Sequence, residues 1–205
     1  MNSEIKHEGQ GTIFEDSFLE PLTKCPPYIS ATIYSSIGIG ILYVGIHKHV
    51  MNNFWTGAAL FVGAIFLWTL FEYFAHRYIF HLDEYFPDSK FAHKLAFTLH
   101  GIHHEYPRDK DRIVMPPVPG MLIIGLLFGI YYAIMGNYVF IFLPGFMTGY
   151  LLYTRVHYKT HTRHIPSYLK SQYRRHSLHH YKYPDKAFGI STGLWDRVFG
   201  TMPPE

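Results

Sequence analysis

Four long apolar stretches alternate with polar segments along the chain. Each contains close to the roughly 20 apolar residues that a helix needs to cross a bilayer core about 30 Å thick. A single stretch of this length also fits a buried helix of a soluble protein, but four in 205 residues favour a membrane protein. The four stretches span residues 29–46, 54–71, 118–135 and 138–154.

Short links join these stretches in pairs. Residues 47–53 connect the first two stretches, and residues 136–137 connect the last two. The pattern predicts an all-α integral membrane protein with four transmembrane helices in two hairpins. Residues 1–27 are polar and lack the basic region, apolar region and cleavage site of a signal peptide. We therefore expect a polar N-terminal segment over 1–27 and one membrane domain over 28–205.

The positions of lysine and arginine predict the orientation of the hairpins. Lys48 lies in the first link, and the other 17 of the 18 basic residues lie at or beyond the opposite ends of the stretches. Because basic loops remain on the cytosolic side, the N-terminus, residues 72–117 and residues 155–205 should form a cytosolic helical cap. The one cysteine, Cys25, excludes both a disulfide framework and a thiolate zinc site.

Ten of the 15 histidines form four spaced sets in the two cytosolic segments. Each hairpin is followed by a histidine pair and then, 19 or 15 residues further on, by the triplet H-x-x-H-H. Such a repeat builds two similar halves that face each other. The pairs are His76–His81 and His157–His161, and the triplets are His100, His103, His104 and His176, His179, His180.

The spacing of these histidines predicts how they project. Residues three and four apart share one face of an α-helix, so each triplet should point its imidazoles the same way, as one wall opposite the other triplet. His157 and His161 lie one turn apart. His76 and His81 are five residues apart, which places them about 140° from a common face at 100° per residue. We expect that helix to end or bulge near Ile79 if both point inward.

Ten imidazoles exceed the needs of one metal ion, whereas two ions with about five nitrogen donors each would fit the number. Imidazole binds zinc, copper, iron and nickel alike, so donor type leaves the ion open. The H-E-x-x-H zinc-protease motif and the Glu-x-x-His pair of carboxylate-rich di-iron bundles are both absent. Isolated histidines usually have other roles, so we place five outside the site: His7, His47, His49, His93 and His164.

The four histidine sets resemble the histidine boxes of the membrane fatty acid hydroxylase and sterol desaturase superfamily. More narrowly, "HRYIFH", "HGIHH" and the tail "FGISTGLWDRVFGT" (188–201) resemble fatty acid 2-hydroxylases that act on sphingolipid acyl chains. The resemblance covers about residues 20–205. It implies two iron ions held by the ten histidines of the pairs and triplets, with zinc able to occupy the same nitrogens.

The same resemblance implies a reaction and its partners. One atom of O2 enters the C–H bond next to the carbonyl of a long-chain acyl group, in a ceramide or free fatty acid, and the other leaves as water. Residues 1–27 lack the H-P-G-G signature of the haem domain that fungal and animal members carry. We therefore expect a separate electron donor of cytochrome b5 or ferredoxin type with its reductase, and no nucleic acid. The endoplasmic reticulum or a bacterial inner membrane would house the protein.

Metal-bound imidazoles normally donate their second N–H to a carboxylate, a carbonyl or water. Candidate carboxylates are Glu72, Asp83, Glu84, Glu105, Asp185 and Asp196. Two other function classes stay open. One is oxidation of a sterol, a carotenoid or a bacterial acyl lipid by the same site. The other is non-enzymatic metal or haem binding, although the apolar stretches contain no charge for transport and the histidines lie outside them.

Overall fold

A computed structural model of the protein describes residues 5–16, 18–51 and 53–204, and these form helices and loops with no strand. Two segments are π-helical, Ala75–Phe80 and Phe97–Gly101. The α-helices are α1 (Pro27–His47), α2 (Phe54–Phe74), α3 (Leu82–Tyr85), α4 (Lys90–Ala96), α5 (Ile102–Glu105), α6 (Pro117–Met135), α7 (Val139–Thr160), α8 (Lys170–Tyr181) and α9 (Leu194–Val198).

The long helices begin and end where the local sequence favours it. Proline occupies the first turn of α1 and of α6, where its missing N–H costs no helical hydrogen bond. The Asn53 side chain caps α2 by accepting a hydrogen bond from the Trp55 N–H at 2.8 Å. Helix α6 ends at Met135, and the φ of 60° at the following residue, Gly136, suits glycine. The predicted apolar stretches are therefore helices.

Two glycines let α2 and α7 pack closely. A Cβ atom at Gly145 would clash with the carbonyl oxygen of Phe61, and one at Gly149 would lie 2.5 Å from the Cβ of Trp68. This is the small-xxx-small packing that brings membrane helices together. Because the contacts advance in the same direction along both helices, α2 and α7 run parallel. Their histidine pairs consequently reach the same end of the molecule.

Helix α1 runs antiparallel to α7. Near the end of α1, a Cβ at Gly45 would lie 2.7 Å from the Cβ of Phe140, at the start of α7. Near the start of α1, the Ser30 hydroxyl donates to the Met115 carbonyl at 2.9 Å, just before α6. The link after α1 and the link between α6 and α7 thus lie together, at the end away from the histidines.

Three helical segments of the described chain are long and apolar enough to cross a membrane: Pro27–His47, Phe54–Phe80 and Lys110–Thr160. The third contains both α6 and α7, so four spans in two hairpins stay a prediction. Helix α6 leaves large apolar side chains exposed, with Leu122 and Ile134 at 73% and 71% of their surface. Exposed apolar surface of this kind is typical of a face that contacts a membrane or another apolar surface.

Candidate metal centre

The ten histidines of the pairs and triplets come together in two groups of five. In each group, one ring nitrogen per histidine lies within 4.8 Å of all the others. Cluster A consists of His76, His81, His100, His104 and His179, and cluster B consists of His103, His157, His161, His176 and His180. Each cluster therefore offers the number of donors expected for one ion, and metal ligation itself stays a prediction.

Burial favours the neutral form of seven of these imidazoles. Nine of the ten are buried, and His161 is partly buried. Burial, with neighbouring imidazoles as the smaller cause, lowers the pKa of seven of them below its usual range near 6.5: His100, His103, His104, His161, His176, His179 and His180. A neutral imidazole is the form that binds a metal ion.

The tautomers of two histidines fit a cation. The Nδ1 atoms of His76 and His179 each lie 2.7 Å from a backbone carbonyl oxygen, which can only accept a hydrogen bond. Their single ring proton is therefore on Nδ1, and Nε2 presents a lone pair to cluster A. The Nε2 of His76 lies 3.0 Å from the Nε2 of His100. Converging nitrogens at this distance match a set of donors around one metal ion.

A π-helical turn brings the first histidine pair together. His76 lies inside the π-helix Ala75–Phe80, and His81 follows its last residue. Since π-helical hydrogen bonds join residues five apart, the two rings fall nearly one above the other, with centroids 5.3 Å apart. The predicted bulge near Ile79 is confirmed.

The two triplets are not separate walls, which corrects that expectation. The middle histidine of each triplet joins the cluster that is otherwise built by the other half, so His103 lies in cluster B and His179 in cluster A. Neighbouring residues on an α-helix diverge by 100°, and this angle directs adjacent histidines of a triplet into different clusters. The clusters adjoin where the rings of His104 and His180 stack, with centroids 4.2 Å apart.

Three histidines of cluster A hydrogen-bond the protein through an outer nitrogen, whereas a ring nitrogen of His104 is buried without a partner among the described residues. His76 donates to the Phe188 carbonyl and His179 to the Lys186 carbonyl. Among the described residues, Glu84 is the one predicted carboxylate that hydrogen-bonds a cluster imidazole, at 3.1 Å from His81 Nδ1. Glu72 and Asp196 bind backbone N–H groups instead, and Asp83, Glu105 and Asp185 face side chains outside the clusters. Sequence reasoning missed the two carbonyls, because every residue type has one.

An apolar cavity of about 550 Å³ leads to both clusters. Side chains of α2, α6 and α7 form nearly half of its wall, and the lining includes His76 and His100 from cluster A and His103 and His157 from cluster B. Ligand sites are typically concave, largely apolar and of this size. The arrangement can hold an alkyl chain with one end against the histidines.

The N-terminal segment, expected to be merely polar, supplies part of the cavity wall through Ile13 and Leu22. A partly buried ion pair between Glu20 and Arg112 attaches it to the cap, and Arg112 also donates to the Gly11 carbonyl at 2.8 Å. The apolar residues interspersed in this segment were the available signal. Their partners are about a hundred residues away, so local pattern could not identify the contact.

Residues 61–201 match the family model described as fatty acid hydroxylase. The chain belongs to the fatty acid hydroxylase family. The predicted resemblance is thereby confirmed, and the structure shows that the matched region contains all ten cluster histidines.

Relatives in the family carry more specific names. The chain is 39% identical over 193 residues to the ceramide very long chain fatty acid hydroxylase of Schizosaccharomyces pombe, covering 92% of the chain and 54% of that protein. It is 41% identical over 152 residues to the fatty acid 2-hydroxylase of Homo sapiens, covering 71% and 40%. It is 30% identical over 199 residues to the dihydroceramide fatty acyl 2-hydroxylase of Arabidopsis thaliana, covering 93% and 79%.

A solved structure of full-length scs7p, in which only the hydroxylase domain is visible, has the same fold. Its TM-score is 0.87 at 32% identity, covering 98% of this chain and 75% of that one. The chain spans about half the length of the fungal hydroxylases it matches, 51% and 54%. The shared part is therefore the helical body with the two histidine clusters.

Proposed function

We propose that this member of the fatty acid hydroxylase family hydroxylates a long-chain fatty acyl group at C2, the carbon next to the carbonyl. The observation that supports this activity is the apolar cavity that ends on two five-histidine clusters. The relatives' names support position 2 and point to a ceramide, a dihydroceramide or a free fatty acid as the carrier.

The ten cluster histidines would hold two iron ions, five donors to each. Bound iron would supply the activation of O2 and its reduction. The overall reaction consumes the acyl C–H, O2, two electrons and two protons, and yields the C–OH and one water molecule. Imidazole donors also accept zinc, so we expect zinc-loaded protein to be inactive because zinc has no redox chemistry.

The chain's own contribution is to place C2 and exclude water. Leu143 and His157 both line the cavity, and their separation of 14 positions corresponds to about 21 Å of α-helix at 1.5 Å per residue. This length suits an extended acyl tail between α6 and α7. Since C2 neighbours the carbonyl, the head of the chain must then lie at the histidines. Holding the reacting carbon in place in this way contributes strongly to rate.

We further propose that α1, α2, α6 and α7 cross the membrane as two hairpins, with residues 28–205 as the hydroxylase domain and the clusters on the cytosolic side. The antiparallel contacts of α1 with α7 and the position of Lys48 at the far end support this topology. In a Cys25→Ser background, a membrane-impermeant thiol reagent should label Lys48→Cys and Asn137→Cys from outside and Asp88→Cys only after permeabilisation. Labelling of all three from one side would contradict the topology.

The two electrons would come from a separate carrier of cytochrome b5 or ferredoxin type with its reductase. The stoichiometry of the reaction supports the need for such a donor. The endoplasmic reticulum and a bacterial inner membrane are the two membranes in which we place the system.

The deciding experiment is lipid mass spectrometry of cells that lack 2-hydroxylated lipids, grown under 18O2 with and without this protein. We expect one 18O atom at C2 of long acyl chains, and no product from a His103→Ala, His179→Ala variant present in the membrane at equal amount. Label at another carbon, or in a sterol or carotenoid, would replace the proposed reaction with that one. Metal analysis of anaerobically purified protein tests for two iron ions per chain.

A further inference from the structure

The backbone of residues 186–191 forms the outer wall of cluster A. The carbonyl oxygens of Lys186 and Phe188 accept hydrogen bonds from His179 and His76. Every N–H group from residue 187 to residue 191 donates to an acceptor outside the cluster. The segment therefore binds histidines through its oxygens and is anchored through its nitrogens.

Asp196 is the first anchor, and its side chain is fully buried. One carboxylate oxygen accepts from the Phe188 N–H at 2.9 Å and from the Thr201 hydroxyl at 2.8 Å, and the other accepts from the Gly189 N–H at 3.0 Å. A Cβ atom at Gly189 would lie 2.8 Å from that second oxygen. The glycine thus lets the carboxylate approach the backbone.

Glu72 on α2 is the second anchor and is also buried. Its Oε1 atom accepts from the N–H groups of Ile190 and Ser191 at 2.7 and 2.8 Å, and its other oxygen contacts the Ser191 hydroxyl. Glu72 lies one helical turn before His76, so α2 carries both a cluster histidine and the anchor of its hydrogen-bond acceptor.

The anchors hold an unusual backbone conformation. Ala187 lies between the two acceptor carbonyls and has a φ of 58°, a left-handed conformation that non-glycine residues rarely adopt. Such conformations persist only where surrounding contacts over-determine them. The hydrogen bonds to Asp196 and Glu72 on one side of Ala187, together with the bond from its own N–H to the Thr201 carbonyl at 2.8 Å, meet that condition.

Among the described residues, the rings of cluster B are held by fewer such hydrogen bonds. The Nδ1 atoms of His103, His176 and His180 are buried and have no hydrogen-bond partner among the described residues. His157 Nδ1 lies 3.4 Å from the Tyr153 hydroxyl, a long contact, and the Ile113 backbone also hydrogen-bonds this ring. Hydrogen bonds to the outer nitrogen fix the ring and raise its basicity, so the two clusters differ in how firmly their donors are aimed.

We propose that Asp196 and Glu72 are positioning residues for cluster A: they fix the 186–191 segment, whose carbonyls aim His76 and His179, and they make the two metal positions unequal. The inference rests on the proposed metal binding. Cluster A holds its ion more tightly than cluster B. Loss of such a partner typically weakens metal binding 10- to 100-fold.

Hydrogen-bond chemistry separates the two anchors. Glu72→Gln can preserve every bond, since the amide oxygen accepts both backbone N–H groups and its NH2 donates to the Ser191 hydroxyl, which can also accept. Asp196→Asn cannot do so, because each of its two oxygens faces a backbone N–H and an amide NH2 must then oppose one of them. Glu72→Gln should therefore preserve the position of the segment, whereas Asp196→Asn should disturb it.

The test uses the full chain in detergent, loaded with two equivalents of Co2+ or Zn2+ and challenged with excess chelator. We expect wild-type protein to release metal in two phases of equal amplitude. His179→Ala should remove the slow phase and His161→Ala the fast phase. Asp196→Asn should accelerate only the slow phase, by about 10- to 100-fold. Glu72→Ala should also accelerate the slow phase, and Glu72→Gln should restore it because the amide can make the same hydrogen bonds. The matched control Asp185→Asn, an exposed acid beside the segment, should keep wild-type rates.

Other outcomes would overturn the inference. A single release phase in the wild type, an unchanged slow phase in Asp196→Asn, or equal acceleration of both phases would each do so. If Asp196→Asn is not recovered from membranes, Thr201→Val, which removes one hydroxyl bond to Asp196, is judged by the same criteria. Wild-type protein that binds fewer than two metal ions would refute the proposed metal centre itself, a failure distinct from unchanged kinetics in a fully loaded variant.

Discussion

The first and second halves of the chain build the same histidine arrangement with different helices. In the first half, the pair is formed around the π-helix Ala75–Phe80, and the triplet begins in the π-helix Phe97–Gly101. In the second half, the pair lies at the end of α7 and the triplet lies wholly on α8. The extra residue between His76 and His81 explains the difference for the pairs, because residues five apart align only on a wider helical turn.

The comparison also shows that the halves are not independent sites. Each contributes four histidines to one cluster and its middle triplet histidine to the other. Sequence repetition therefore predicts the ligand set of the pair of clusters, whereas membership of each cluster depends on how the halves face each other.

Two double variants test whether each half contributes a histidine to the other half's cluster. One variant changes two histidines of the same cluster, and the other changes two histidines of the same half. His103→Ala with His161→Ala removes two donors from cluster B and should leave one metal ion per chain. His179→Ala with His161→Ala removes a donor from each cluster and should leave neither ion firmly bound. In both, hydroxylation should fall at least about 100-fold. Metal analysis giving the opposite pattern would show that clusters follow the halves.

Removing the extra residue tests the role of the π-helical turn. Deletion of Tyr78 gives the first pair the spacing of the second and moves His81 and the residues after it by about 1.5 Å along the helix. A misplacement near 1 Å can cost about 100-fold in rate, so hydroxylation should fall by about that factor. Tyr78→Ala, at a side chain 40% exposed, is the control and should remain active. Full activity in the deletion would mean that the π-turn is dispensable.

The metal-free protein should lose stability in acid. The folded chain lowers the pKa of buried imidazoles in both halves. Below about pH 6.5, the unfolded chain therefore binds more protons than the folded chain. The free energy of unfolding should fall as pH decreases from 6.5, by at most about 1.4 kcal/mol per imidazole and pH unit, and stay level above pH 7.5. Unfolding midpoints of chelator-treated protein from pH 5 to 8 measure this. A constant midpoint would indicate hydrated clusters.

The smallest effects should come from His93 and His164, which lie between the pair and the triplet of each half and belong to neither cluster. His93 is exposed and its Nε2 lies 2.6 Å from the Pro87 carbonyl oxygen. Surface substitutions of this kind change stability by about 0.5 kcal/mol or less. His93→Ala and His164→Ala should each keep two metal ions and near-normal hydroxylation. A lost ion in either variant would enlarge the ligand set.

The chain's periodic features were predictable from the sequence. Apolar length identified the long helices, and regular spacing identified the ten histidines and the irregular turn near Ile79. These signals are local, because each depends on residues within one or two helical turns. Family membership followed from the same motifs.

Contacts between distant segments were not predictable in this way. The assignment of His103 and His179 to clusters depends on the packing of two helices, and the Lys186 and Phe188 carbonyls carry no side-chain signal. Glu72 and Asp196 were candidates for direct contact with a histidine, and the structure places the backbone of residues 188–191 between. The sequence alone does not distinguish an acidic residue that contacts a histidine directly from one that acts through a backbone segment.

The crossing of His103 and His179 has a consequence for biosynthesis. Members of one cluster lie far apart in the sequence. His103 contacts His157, which is 54 positions away, and His81 contacts His179, which is 98 positions away. Non-local contacts of this kind form late and slowly. During translation, the first half therefore has an incomplete set of imidazoles until α8 has left the ribosome. His179 and His180 on α8 then complete both clusters together.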